Sequence, residues 1–236
     1  MKKRKKNVNY KKIIIVLAII LFGILLFFIY RSLRVKTIYV MGNSILKESE
    51  ILDETNLLSY PYLYEVNESD IRNKLQDNKL INSVKVSKSL SGKIIIYIDE
   101  NKVLYQNKSG KYMLSNNEEI SLDKAPLGIP TLINDCDDVK DKFVNKLLLV
   151  DDDIMKHISE IEYKPTNLDN ERFMFYMIDG NYVYVTLSKM SLINSYNEIY
   201  PTLEGKKGIL YLDSGNHFEI KNKNEKEDIK EDIKTN

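Results

Sequence analysis

Residues 35–44 read VKTIYVMGNS and open the part of the chain that decides the fold. The first six residues alternate in side-chain direction and are rich in β-forming types, which predicts a strand. Gly42 and Asn43 then mark a turn. Two short amphipathic helices are predicted next, on either side of Pro61, because apolar residues recur there at helical spacing.

A β-hairpin is predicted at the end of this stretch. Val84 and Val86 alternate with polar residues, and Ser91-Gly92 provides a turn. Residues 93–98 (KIIIYI) then form a strand that is apolar on both faces, which is typical of a central strand. The predicted order is therefore β-α-α-β-β in fewer than seventy residues.

Residues 13–30 read IIIVLAIILFGILLFFIY and contain no charged side chain. A helix of this length covers about 27 Å, close to the thickness of about 30 Å of a hydrocarbon core. A cleaved signal peptide would have a shorter apolar stretch and small residues at the cleavage site, whereas bulky residues occupy that zone here. The sequence therefore predicts an uncleaved transmembrane helix.

The charge distribution predicts the orientation of this helix. Residues 1–36 carry ten basic groups and no acidic group, while the remainder carries 25 basic and 34 acidic side chains, a net charge of −9. Because the larger basic cluster precedes the apolar segment, the N-terminus is expected in the cytoplasm and the following residues outside. An acidic exterior does not fit nucleic-acid binding. A single cysteine, Cys136, leaves no internal disulfide, which favours a bacterial exterior.

Residues 102–220 are predicted to form a second, strand-rich module with two helices. Apolar stripes at residues 139–148 and 192–203 have helical spacing. A late strand is expected at residues 208–213, with residues 217–220 extending it.

The sequence thus predicts an α+β protein with a single N-terminal transmembrane helix. The polar C-terminal tail is expected to be disordered, since it has little apolar surface to offset the entropy of ordering. The predicted segments are a basic cytoplasmic tail (1–12), the transmembrane helix (13–30), a first module (35–101), a second module (102–220) and the tail (221–236).

Two stretches carry a family resemblance. VKTIYVMGNSILKESEIL (35–52) and NESDIRNKLQDNKLINSVKVSKSLSGKIIIYIDENKVLYQ (67–106) resemble the POTRA domain of the FtsQ/DivIB bacterial cell-division family, and Glu100 matches a glutamate that usually follows its last strand. Gly208, Tyr211 and Asp213 are similar to the closing strand of the β domain in that family. The resemblance implies a non-enzymatic scaffold of the division septum that helps regulate septal peptidoglycan synthesis.

The resemblance also implies partners and a binding region. Family members bind small single-pass division proteins of the FtsL and FtsB/DivIC types, the latter through the last strand region of the β domain. The corresponding residues here are 208–220, with Tyr211, Leu212 and Phe218 as candidate contacts. Internal packing is the alternative role for all three.

No motif of catalysis, metal binding or cofactor binding is recognisable in the sequence. Neither histidine lies in a zinc-binding motif, and the acidic neighbours of Cys136 oppose thiolate formation. The run Asp151-Asp152-Asp153 lacks calcium-loop spacing and is expected in a solvated loop or at a helix N-terminus. Catalytic residues, cofactors and a small-molecule substrate are therefore not expected. Two other classes stay open: a membrane-anchored extracytoplasmic enzyme or sensor of unknown ligand, and another POTRA-bearing envelope-assembly protein.

Overall fold

The computed structural model describes residues 10–220. Most of the predicted basic tail (1–12), and the whole of the predicted disordered tail (221–236), lie outside the described residues. The described chain divides into two compact units at Glu100 and Asn101.

Helix α1, Tyr10–Ser32, belongs to the first unit. It contains the whole predicted anchor, residues 13–30, and its length and composition allow it to cross a membrane. Its apolar side chains are exposed along the full length of the helix. Such a surface is stable in lipid, where an α-helix satisfies its own backbone hydrogen bonds.

The rest of the first unit has the predicted β-α-α-β-β order. A three-stranded sheet has the strand order β1-β3-β2, in which β3 is the central strand, parallel to β1 and antiparallel to β2. The two helices cover one face, and Ile51, Ile71 and Leu75 from them pack with the alternating isoleucines of β3. The elements are β1 (Thr37–Met41), α2 (Glu48–Glu54), α3 (Glu68–Gln76), β2 (Ile81–Lys88) and β3 (Lys93–Glu100).

The carboxylate of Glu100 closes this unit. One oxygen, Oε2, accepts hydrogen bonds from the Ser44 and Ile45 amides at 3.0 and 2.9 Å and from the Ser44 hydroxyl at 2.6 Å. The other oxygen accepts the Leu46 amide at 2.9 Å. Gly42, at φ +87°, starts this turn where a Cβ would lie 2.0 Å from the Ile98 carbonyl oxygen. The Glu100 side chain therefore links the end of β3 to the loop that follows β1.

The second unit contains a nine-stranded sheet of order β12-β11-β10-β9-β8-β7-β4-β5-β6. Its strands and α-helices are β4 (Val103–Gln106), β5 (Tyr112–Leu114), β6 (Glu119–Ile120), β7 (Thr131–Leu132), α4 (Lys140–Leu147), α5 (Asp152–Met155), β8 (Ile158–Tyr163), β9 (Arg172–Met177), β10 (Tyr182–Thr186), α6 (Tyr196–Ile199), β11 (Gly208–Tyr211) and β12 (His217–Ile220). Up to residue 220 the unit also contains three 3₁₀ helices, Asp137–Val139, Leu187–Ser195 and Tyr200–Leu203.

The core of this unit lies between the helical segments and one face of the sheet. Phe143 of α4 stacks on Phe173 of β9, with ring centroids 4.3 Å apart. Val183 and Leu210 from neighbouring strands are buried in the same cluster. The side chains that alternate with these therefore lie on the opposite face of the sheet.

Two predicted elements of the second unit differ in the structure. The helix expected at residues 192–203 is divided into 3₁₀, α and 3₁₀ segments. Pro201, which has no amide hydrogen to continue an α-helix, lies at the start of the last segment. Residues 217–220 do not extend β11: Gly215 and Asn216 adopt positive φ angles of 120° and 52° and reverse the chain. Strand β12 consequently pairs antiparallel with β11.

Candidate interaction surface

Strand β12 is the outermost strand at one end of the sheet among the described residues. It pairs with β11 from Gly208 opposite Ile220 to Tyr211 opposite His217. A Cβ at Gly208 would lie 2.0 Å from the Glu219 carbonyl oxygen, so only glycine allows this close approach. The other long side of β12 presents backbone groups that a further strand could bond.

A row of stacked side chains crosses the four last strands of the sheet. The Arg172 guanidinium of β9 lies 3.6 Å from the ring centroid of Tyr184 on β10. Tyr184 stacks on Tyr211 of β11 at 5.4 Å, and Tyr211 stacks on His217 of β12 at 4.7 Å. We call Arg172, Tyr184, Tyr211 and His217 the stacked row. It links the edge strand to the interior of the sheet.

An ion pair joins Arg172, the first member of the stacked row, to the β11–β12 turn. Arg172 Nε donates to Asp213 Oδ2 at 2.6 Å, and the two side chains are 17% and 8% exposed. Lys189 Nζ donates to the Asp213 carbonyl oxygen at 2.7 Å. Because an ion pair shielded from water is geometrically specific, Asp213 holds the turn in one position relative to β9.

Tyrosines dominate this outer face of the sheet. Tyr176 and Tyr182 form an edge-to-face pair at 5.2 Å beside the stacked row. Tyr176 Oη donates to Glu162 Oε2 at 2.7 Å. Burial raises the pKa of Tyr176, and this hydrogen bond raises it further. Burial raises the pKa of Tyr211, and a hydrogen bond with the Glu219 side chain raises it further. These phenols stay neutral at physiological pH and offer rigid surfaces with one polar tip.

The three residues predicted from the sequence lie in different environments. Tyr211 is partly exposed on the outer face. Phe218 lies opposite Leu210 and packs against the core, so it lies on the inner face. Leu212 is 3% exposed and is part of the core cluster, where its amide donates to the Tyr184 carbonyl oxygen at 2.8 Å.

The sequence did not indicate the other members of the stacked row. Tyr184 meets Tyr211 only because β10 and β11 pair in parallel. Arg172 and His217 join the row through the antiparallel pairs β9–β10 and β11–β12. A parallel pair is formed by segments distant in sequence, and no local pattern sets its register. The alternation of Tyr182 and Tyr184 with buried valines was the available signal for an outer face.

The Cys136 thiol lies in the core of the second unit, and the acidic run 151–153 lies at the start of a short helix. Within residues 10–220, no group of three histidine, cysteine or acidic side chains is placed to hold a metal ion. Burial, and then Asp137, raise the pKa of the Cys136 thiol to about 11, so it is protonated at neutral pH. Asp151 occupies the N-cap position of α5, and Asp152 pairs with Lys102 at 3.0 Å.

Residues 33–101 match the family model for the POTRA domain, FtsQ-type. The cell division protein DivIB of Bacillus subtilis is 29% identical over 241 residues, covering 97% of this chain and 90% of that protein. DivIB of Bacillus anthracis is 30% identical over 225 residues, covering 91% and 84%.

A solved structure also matches. It is the major extracytoplasmic domain of the trans isomer of DivIB from Geobacillus stearothermophilus, with 23% identity and a TM-score of 0.38. The match covers 45% of this chain and 96% of that one.

Proposed function

Because this chain belongs to the DivIB family of bacterial cell division proteins, we propose that it is a scaffold of the division septum that captures small single-pass partners. The partners are of the FtsL and FtsB/DivIC types, and their capture helps regulate septal peptidoglycan synthesis. The plasma membrane is engaged through residues 13–30, with the N-terminus in the cytoplasm. The chain acts by binding and not by catalysis.

The observation that carries this proposal is the outer edge of β12. An extended segment of the FtsB/DivIC-type partner adds to the sheet as a further strand and bonds the backbone of residues 217–220. Backbone bonding supplies affinity whatever the partner's side chains are. Ile220 is 51% exposed on this strand, and burying such a side chain adds to the affinity.

The tyrosine-rich outer face supports selectivity. Tyrosine loses little side-chain entropy on binding and is enriched among residues that dominate binding energies. Tyr211 contributes directly from the stacked row, while Phe218 and Leu212 support the edge strand from the inner face. The Arg172–Asp213 pair keeps the strand in place before the partner arrives, which lowers the cost of ordering at binding.

The location of the protein tests the cellular part of the proposal. A fluorescent protein fused to the cytoplasmic N-terminus of the full chain is imaged in dividing cells. We expect a band at midcell before constriction is complete. Residues 1–36 with the same fusion are the control and should be distributed evenly, because they lack both exported units. An even distribution of a functional full-length fusion would contradict the proposal.

A further inference from the structure

Helix α1 runs almost directly into the folded part of the first unit. The Leu33 amide bonds the Tyr30 carbonyl oxygen at 3.2 Å, and the Leu33 carbonyl oxygen accepts the Leu63 amide at 2.8 Å. The Val35 amide donates to the Pro61 carbonyl oxygen at 3.0 Å. These backbone bonds hold residues 61–63 beside the outer end of the helix and leave no flexible linker between them.

Two arginines at this junction stack on two tyrosines. The guanidinium of Arg31 lies 4.5 Å from the ring centroid of Tyr64, and its Nη2 donates to the phenol oxygen at 3.2 Å. The guanidinium of Arg34 lies 4.1 Å from the ring centroid of Tyr62. The two rings stack on each other at 5.7 Å. We call Arg31, Arg34, Tyr62 and Tyr64 the junction cluster.

The length of α1 places the junction cluster at the depth of the lipid headgroups. Its 23 residues cover about 34 Å, slightly more than a hydrocarbon core of about 30 Å. The headgroup layer adds roughly 5–8 Å on each side. Since Arg31 lies in the last turn of α1, a ring in contact with its guanidinium lies within this layer.

The chemistry of the junction cluster suits a phosphate-bearing surface. Within residues 10–220, neither guanidinium forms an ion pair with a carboxylate, although the exported chain is acidic overall. Each guanidinium has a planar fork of N–H donors that matches phosphate oxygens, and stacking on a ring leaves most of those donors available. Tyrosine is also enriched at membrane interfaces.

An exposed leucine lies at the same end of the unit. Leu90, in the β2–β3 turn, is 73% exposed. This turn is held next to the junction because the Gly92 carbonyl oxygen accepts the Lys36 amide at 2.7 Å. An exposed leucine at this position is costly in water and favourable in the interfacial layer.

From these contacts we infer that the junction cluster and Leu90 form a lipid-binding base for the first unit. The occupant is the outer leaflet of the phospholipid bilayer, whose phosphates contact Arg31 and Arg34 while Tyr64 and Leu90 insert between headgroups. The base restricts the tilt of the first unit relative to the membrane. Lipid binding by this base does not depend on partner capture.

The natural chain contains no tryptophan, so a single introduced tryptophan is an unambiguous fluorescent reporter. The full-length Tyr64→Trp and Leu90→Trp variants are reconstituted, without partners, in phosphatidylglycerol–phosphatidylethanolamine vesicles. The vesicles contain a phosphatidylcholine whose acyl chain carries a doxyl quencher near the headgroup. Tyr97→Trp is the matched control, since Tyr97 is 47% exposed and pairs with Met41 at the far end of β1.

We expect doxyl quenching of Tyr64→Trp and Leu90→Trp to be about twofold stronger than quenching of Tyr97→Trp. Adding Arg31→Gln and Arg34→Gln to the Leu90→Trp variant should lower its quenching toward that of Tyr97→Trp. Leu90 is exposed, so its replacement leaves the core intact and keeps the test valid if Tyr64→Trp is unstable. Quenching of both reporters at the level of Tyr97→Trp would overturn the inference.

Discussion

The rings of Tyr211 and His217 are nearly parallel, with an interplanar angle of 8° and centroids 4.7 Å apart. This contact joins β12 to β11 through side chains as well as through backbone bonds. It also ends a row that begins at Arg172, so the edge strand is connected to a residue two strands beyond β11 that forms an ion pair with Asp213. The proposed binding edge is therefore held in place by the sheet interior.

The Arg172–Asp213 pair is expected to stabilise the second unit. Replacing Arg172 with Met leaves the Asp213 carboxylate shielded from water without its cation, and we expect about 3 kcal/mol less free energy of unfolding. Urea unfolding of the full-length protein measures this loss. The double variant Arg172→Met, Asp213→Asn should lose less than the sum of the two single variants. Additive losses would show that the pair is not coupled.

Glu100 is expected to stabilise the first unit through its two oxygens. In Glu100→Gln one oxygen becomes an amide nitrogen that faces amide donors, so we expect a loss of about 2 kcal/mol. Hydrogen exchange at the Ser44, Ile45 and Leu46 amides should accelerate, whereas exchange in β2 should change less. The exposed Glu54→Gln variant is the control and should exchange as the natural protein does. Unchanged protection in Glu100→Gln would contradict this role.

The Cys136 thiol predicts a pH dependence of stability. Its pKa rises from 9.0 to about 11 on folding, so the folded state keeps a proton that the unfolded chain loses. The stabilisation is complete below the pKa of the unfolded chain and disappears as the pH rises through the pKa of the folded state. Between these values the natural protein should lose more unfolding free energy than Cys136→Ala, measured by urea titration at several pH values. Parallel losses in both proteins would contradict the assignment.

Tyr211 is expected to contribute to partner capture from the stacked row. Tyr211→Lys removes the stacking surface and adds a charge beside Arg172, and we expect capture of a DivIC-type partner to weaken about tenfold. Tyr211→Phe retains the ring and should bind nearly as the natural protein does. Binding is measured with full-length protein in lipid nanodiscs, and circular dichroism verifies the fold. Equal binding by a folded Tyr211→Lys variant would remove Tyr211 from the proposed contacts.

Local sequence patterns predicted the helices and strands of the first unit. They could not predict contacts between residues that are distant in sequence. The β-α-α-β-β order follows from alternation and helical spacing within short windows, and the central position of β3 follows from its two apolar faces. The binding of Glu100 to residues 44–46 joins positions more than fifty residues apart, so no local pattern reveals it. The resemblance to the family indicates that a glutamate is usual at this position, and the four hydrogen bonds of its carboxylate explain its physical role.

The family resemblance indicates residues 208–220 as the binding region, and this assignment stays a prediction. Within this region, alternation alone could not separate Tyr211 on the outer face from Phe218 on the inner face. That separation follows from the reversal at Gly215 and Asn216, which sets the register of β12 against β11. Gly and Asn at adjacent positions are a turn signal, so the reversal could have been predicted.

Partner capture by a variant of the exposed edge tests whether β12 is the binding edge. Ile220→Glu places a charge on β12 with little cost to the fold, because Ile220 is 51% exposed. Ile178→Glu is the matched control, since Ile178 is 62% exposed at the β9–β10 turn of the same sheet. We measure the Kd of each full-length variant for a DivIC-type partner in lipid nanodiscs. We expect binding about tenfold weaker for Ile220→Glu and unchanged binding for Ile178→Glu. Equal affinity of both folded variants would contradict the claim that β12 is the binding edge.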